Sequence, residues 1–255
     1  MGNLSYAVNG QTLENDHVTV TQGTMWIPSI GVESTMLKLP GTHGAVTGGL
    51  PVIGERTLPL KLHVHGAVES QVSRLLAIFA APELTITRHS DAGLLSARAS
   101  LASLAVSETS HPDLWADIEV QLSLPDVFWH GTAQSLTVTR GGVQPLDVSG
   151  DAPVTDAIIR VAKAASVQVT DPASGTGISW TGTTPSKAYL YIDAGNLAAW
   201  ASDSVSQWSK GGDDVSGGVG YPSAGPLQIC RDTPGYRLLV TGSGSALVRL
   251  TPAFY

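Results

Sequence analysis

Strict alternation of apolar and polar residues constrains the fold of this chain more than any other feature. In LPLKLHVHG (58–66), Leu58, Leu60, Leu62 and Val64 fall on one side of an extended backbone and Pro59, Lys61, His63 and His65 on the other, because strand side chains alternate with a period of two. ADIEVQLSL (116–124) repeats the pattern, with Ala116, Ile118, Val120, Leu122 and Leu124 set against Asp117, Glu119, Gln121 and Ser123. Both runs predict strands with one buried and one wet face. Shorter runs at 18–21, 35–39 and 84–87 are separated by Gly, Pro, Asn and Asp, the punctuation of turns. One segment changes period. In ESQVSRLLAIFAAP (69–82), Val72, Leu75, Leu76 and Phe79 recur at helical spacing, with Glu69 in the first turn and Pro82 as a stop. That spacing predicts a helix over 69–81 packed across a sheet.

Turn residues crowd in GGVQPLDVSGDAP (141–153), and composition changes there: all seven histidines precede it and the one cysteine follows it. This predicts two domains, 1–147 and 148–255. Past the boundary AIIRV, SVQVT, AYLYI, YRLLV and ALVRL read as strands, and NLAAWAS (196–202) as a single helical turn. GTHGAVTGGLPVIG (41–54) reads as a mobile loop with His43 as a loop polar group, and KGGDDVSGG (210–218) as a flexible stretch. The expected class is all-β with one α-helix in the first domain, built as two consecutive β-sandwich-like domains.

Only 14% of residues are charged, against roughly 25% in an average globular protein, so much of the surface is expected to be covered by neighbours. The net charge of −7, with fourteen scattered Lys and Arg, argues against nucleic acid as a partner. The single Cys230 rules out an intrachain disulfide and fits a reducing compartment; within LQIC it reads as a small buried hydrophobe. The first residues carry neither the basic nor the apolar region of a secretory signal. Asn3-Leu4-Ser5 is a glycosylation sequon with nothing beside it that points to secretion. The longest apolar run, LLAIFAA (75–81), is far short of the ~20 residues that span a bilayer, so no membrane insertion is expected.

The chain carries no nucleophile elbow, phosphate loop, zinc-helix pair or dinucleotide turn, so no catalytic, cofactor or metal residue is assigned. His63 and His65 could reach one zinc ion, but Lys61 on the same face sets a positive charge beside it; a solvated or subunit-facing strand surface is the favoured reading. Asp213 and Asp214 lie in a stretch too flexible for catalysis. Of the six tryptophans, Trp115 shares the polar side of its strand with Asp117 and Glu119, which favours burial against another subunit or domain. Trp200, Trp208 and Tyr221 fall near loops of the second domain, where sugar-stacking platforms would lie; packing in the core is the competing reading.

The order of elements in ERTLPLKLHVHG, ESQVSRLLAIFAAP, ELTITRHSDAGLLSARASLASLAV and WADIEVQLSLPDVFWHG, with its L-x-x-P-D-x-x-W phrase, resembles the distal tail proteins of long-tailed siphophages. In the second half GDAPVTDAIIRV, AYLYIDAG, YPSAGPLQI and the closing RLTPAFY continue the resemblance, from which KGGDDVSGGVGYPSAG departs as a glycine-rich insertion. The resemblance implies a structural, non-enzymatic virion protein made in the host cytoplasm and placed at the tail tip. It implies a ring-forming first domain, hexameric in such proteins, which joins the tail tube protein to tail-tip hub or tail-associated proteins. The second domain would then be peripheral and like a galectin or carbohydrate-binding module. On this reading Lys61, His63, His65 and Trp115 form an oligomer or channel face. The alternative is a module that grips a host-surface glycan through Trp200, Trp208 or Tyr221.

Overall fold

The alternating runs become strands in the computed structural model, which describes residues 5–25, 29–34, 36–38, 40, 43–47, 52–90, 93–107, 114–162, 164–242 and 245–255. The chain forms two compact units, residues 1–131 with Tyr255, and residues 132–254. The first contains β1 (Tyr6–Val8), β2 (Gln11–Thr12), β3 (Val18–Val20), β4 (Val32–Glu33), β5 (Met36–Leu37), β6 (Val46–Thr47), β7 (Val52–Ile53), β8 (Arg56–His65), α1 (Val68–Phe79), β9 (Leu84–Ser90), β10 (Gly93–Ser107), β11 (Trp115–Leu124) and β12 (Trp129–His130). Its main sheet runs β2-β1-β9-β10-β11-β8-β3. The segment expected to be a loop at 41–54 instead contributes β6 and β7, which pair with β5 and β4. Asn3, Leu4, Thr35 and Leu39, named above, lie outside the described residues.

Strand β8 and helix α1 carry the first core. Leu58, Leu60, Leu62 and Val64 are buried to within 1% of their surface, and Leu75, Ile78 and Phe79 of α1 are buried with them. The helix begins at Val68, directly after Gly66 and Ala67, both in the left-handed region. The L-x-x-P-D-x-x-W phrase is a folded turn: Arg56 Nη1 donates to Val127 O at 3.0 Å, Asp126 Oδ2 meets His130 Nε2 at 2.9 Å, and Arg88 lies 4.5 Å over the buried Trp129 ring.

The second unit is a two-sheet sandwich. It comprises β13 (Gln134–Val138), β14 (Val143–Leu146), β15 (Ile158–Ala162), β16 (Ser166–Thr170), β17 (Gly177–Thr181), β18 (Tyr189–Asp193), β19 (Ala198–Ser202), β20 (Asp213–Asp214), β21 (Val219–Gly220), β22 (Tyr236–Gly242) and β23 (Ala246–Leu250). One sheet runs β13-β23-β15-β18-β19-β20 and the other β14-β22-β16-β17-β21. Ile159, Val161, Leu190, Ile192 and Val248 of the first, and Val167, Val169, Ile178, Leu238 and Val240 of the second, are buried. The helical turn expected at 196–202 is a strand: Ala198–Ser202 pairs along its whole length with β18. The stretch expected to be flexible at 210–218 contributes β20, which pairs with Trp200 and Ala201. The strands β13 and β14, which precede the crowded turn residues at 141–153 or lie among them, pair with β23 and β22.

Candidate functional site

Strands β3, β8, β11 and β10 turn their polar sides to one face, and the register fixes who meets whom. Thr19 lies opposite His63, His63 opposite Asp117, and Asp117 opposite Ser107. The next row aligns Lys61, Glu119 and Ala105. Cross-strand neighbours at this separation interact directly, and here they are charge-matched. Lys61 Nζ sits 2.6 Å from Glu119 Oε1, and His63 Nδ1 sits 2.7 Å from Asp117 Oδ1. His65 stacks on His63 with ring centroids 6.2 Å apart, His17 meets His65 edge-on at 6.0 Å, and Trp115 lies 5.8 Å from His63. The structure thus gathers Lys61, His63, His65 and Trp115 on one surface, with Trp115 37% exposed. Among the described residues no group of three or more His, Cys, Asp or Glu side chains is placed to hold a metal ion.

The edge of this face was not anticipated. Strand β10 pairs with β9 through residues 93–99 and with β11 through residues 100–107. Beyond Ala99 its β9-side edge therefore has no strand partner among the described residues. A bulge between Leu101 and Ser103 resets the alternation, so Leu101, Leu104 and Val106 align with the buried Leu122, Val120 and Ile118. Leu101 and Val106 nonetheless stay 39% and 40% exposed. An open edge in a stable protein is ordinarily blunted by Lys or other charges, or by Pro. SLASLAVS (100–107) has none, and that absence was a readable signal. Asp117 and Glu119, which complete the paired face, were legible only as polar positions, because register lies outside sequence periodicity.

In the second unit the three aromatic candidates part company. Trp200 is 1% exposed: its ring stacks on Tyr191 at 5.6 Å and 2°, and its Nε1 donates to Gln207 O at 3.0 Å. Trp208 meets Tyr191 edge-on, with the Arg160 and Arg249 guanidinium carbons each 5.6 Å from its ring. Arg160 is fixed in turn by a hydrogen bond to Val205 O. The segment from Asp203 to Gly212 folds over this sheet face and buries Trp200, while Trp208 stays half-buried beside an open groove. Tyr221 stands apart and is 56% exposed. Cys230 is half-buried, and burial pushes its thiol above the ordinary range, which leaves it a poor nucleophile.

Among the described residues these features define a class of protein: two consecutive all-β units, one α-helix in the first, and an unpaired, uncharged strand edge beside a charge-paired sheet face. No family model and no curated protein sequence matches the chain. Among solved structures it is similar in fold to the Dit protein of phage SPP1, at 13% identity over 99% of both chains and a TM-score of 0.64. The phage p2 baseplate in its activated conformation also matches, at 10% identity over 98% of both chains and a TM-score of 0.41.

Proposed function

We propose that this protein is a structural subunit of a phage tail tip, a distal hub whose copies close into a ring between the tail tube protein and the tail-tip or tail-associated proteins. The observation that carries the reading is the open β10 edge. Among the described residues no strand pairs with that edge beyond Ala99, and Leu101 and Val106 stay over a third exposed; a second copy in head-to-tail arrangement supplies the partner, and repetition of such a contact closes a ring. The paired Lys61–Glu119 and His63–Asp117 face then lines a channel or a subunit contact. Likeness in fold to the SPP1 Dit protein, described as a paradigm of the hub adsorption apparatus of phages infecting Gram-positive bacteria, supports the same reading. On this reading the ring is a hexamer, the protein has no enzymatic task, and it is made in the host cytoplasm before assembly into the virion tail. A glycan contact by the second unit would be additional to the ring.

Mass photometry of the full chain, alone and with the tail tube protein, tests the reading. The expected species has about six times the 26.4 kDa chain mass. A strict monomer in both settings overturns it.

A further inference from the structure

Arg249 of β23 and Arg160 of β15 stand on the outer face of the sheet β13-β23-β15-β18-β19-β20, on adjacent strands and in different rows: Arg249 lies opposite Ile158, and Arg160 opposite Leu247. Trp208 reaches both, with 5.6 Å from its ring to each guanidinium carbon. The two cations are otherwise placed differently. Arg160 donates to Val205 O and lies 5.0 Å over the Tyr189 ring. Arg249 has the Trp208 ring alone: among the described residues its guanidinium meets no hydrogen-bond acceptor and no carboxylate. Lys187, Lys210 and Arg237 of the same unit each meet an aspartate. Two residues further along the same pair of strands the register brings Asp156 opposite Thr251, whose backbone N donates to Asp156 Oδ1 at 3.1 Å. Asp156 likewise meets no cation among the described residues. Arg249 and Asp156 share one groove of about 440 Å³, with Ile158, Ser206, Trp208 and Ser209 on its walls. Two opposite charges thus stand in one groove, each held by its own neighbour and neither neutralised by the other.

We propose that this groove binds an extended segment of a partner protein that carries an acidic and a basic side chain two residues apart. Arg249 and Asp156 are offset by two positions along their strands, about 6.5–7 Å. The same step separates side chains i and i+2 of an extended peptide, which project to one side. A Glu or Asp carboxylate takes two parallel N–H donors of Arg249, and a Lys ammonium donates to the remaining oxygen of Asp156. Stacking on Trp208 and the bond from Thr251 hold the two groups in place beforehand, so less side-chain freedom is lost on binding. A polyanion of repeating charge is repelled at Asp156, and a neutral chain leaves both charges covered and unmatched. Ile158 and Trp208 offer too little apolar surface to draw a lipid or an amphipathic helix into the groove. The groove lies in the second unit and does not use the β10 edge, so it stands or falls independently of the ring.

Isothermal titration of the full chain with the blocked peptides Ac-Thr-Glu-Thr-Lys-Thr-NH2 and Ac-Thr-Lys-Thr-Glu-Thr-NH2 tests the proposal. The comparators are the same peptide with both charges acidic, with both basic, and with Glu and Lys adjacent, together with inorganic tripolyphosphate. At least one spaced peptide binds with a Kd of about 0.1–1 mM, at least fivefold more tightly than every comparator. Arg249→Gln and Asp156→Asn each weaken it at least fivefold. The asparagine keeps an oxygen for Thr251 N, and both variants keep the wild-type thermal midpoint. Arg140→Gln, at an exposed cation outside the groove, changes binding less than twofold. Three results overturn the proposal: no heat from either spaced peptide up to about 10 mM, a comparator that binds within fivefold of the better spaced peptide, or spaced-peptide binding unchanged in either groove variant. Mass photometry of the same samples reads the ring separately, and Arg249→Gln leaves the oligomer intact.

Discussion

Tyr6 places its phenol entirely out of solvent, and among the described residues its hydroxyl has no hydrogen-bond partner. Burial pushes the phenol up to about 12, with the Arg88 charge pulling the other way. The folded protein therefore holds the proton at a pH where the unfolded chain has released it. Where the native state binds more protons than the unfolded state, stability falls as pH rises. The contribution of Tyr6 is thus fully present below pH 10 and is lost between about 10 and 12, a change of about 3 kcal/mol at 1.36 kcal/mol per unit. Urea unfolding across that range shows the fall in the wild type, and Tyr6→Phe removes this part of it. At pH 7 the same substitution leaves stability unchanged or raises it by up to about 1 kcal/mol, since it deletes a buried hydroxyl without breaking a bond.

Helix α1 and strand β10 each carry a conformational cost that a substitution can expose. The helix is preceded by Ala67 at φ 47° and ψ 37°, with no side-chain cap. A left-handed L-residue costs about 1–2 kcal/mol, and glycine returns about 0.5–1 of that as unfolded-state entropy. Ala67→Gly is therefore expected to stabilise the chain by about 0.5 kcal/mol, seen as a small rise in thermal midpoint. For β10, Leu101→Lys combined with Val106→Lys places two charges on the open edge where copies are proposed to meet. Both side chains are over a third exposed, so the fold should lose less than about 1 kcal/mol while the ring dissociates in mass photometry. A ring that persists in the double variant places the contact elsewhere. The helix body and the paired strands β8 and β11 were legible because burial on one face writes a period into the sequence. The start of α1 was read to within one residue from Glu69 in its first turn, although Gly66 and Ala67 offer no cap residue. Strand β19 was missed: the segment from Asp203 to Gly212 covers its outer face, so Ala199, Trp200 and Ala201 are all buried, and a strand buried on both sides has no alternation to show.

The crowding of turn residues at 141–153 marks a loop, but what makes a unit is pairing, and the pairing here is distant in sequence. Gln134–Val138 lies against β23 from Gln134↔Leu250 to Val138↔Ala246, and Val143–Leu146 lies against β22 from Val143↔Leu239 to Leu146↔Tyr236. Each of these strands is the terminal strand of its sheet. A fragment of residues 148–255 would lack both, together with the buried side chains of Val138 and Leu146. At about 1.5–3 kcal/mol for each buried side chain, that loss is comparable with the 5–15 kcal/mol total stability of a typical domain. It also uncovers the edges of β22 and β23, which carry Leu238, Val240, Leu247 and Val248 and invite association between copies. A fragment of residues 132–255 retains both strands. The shorter fragment is expected to aggregate or unfold without a sharp transition, and the longer one to give dispersed amide signals and a cooperative thermal unfolding. Equal cooperativity in the two would show that 134–146 is a connector between units, which pairing along both strands argues against.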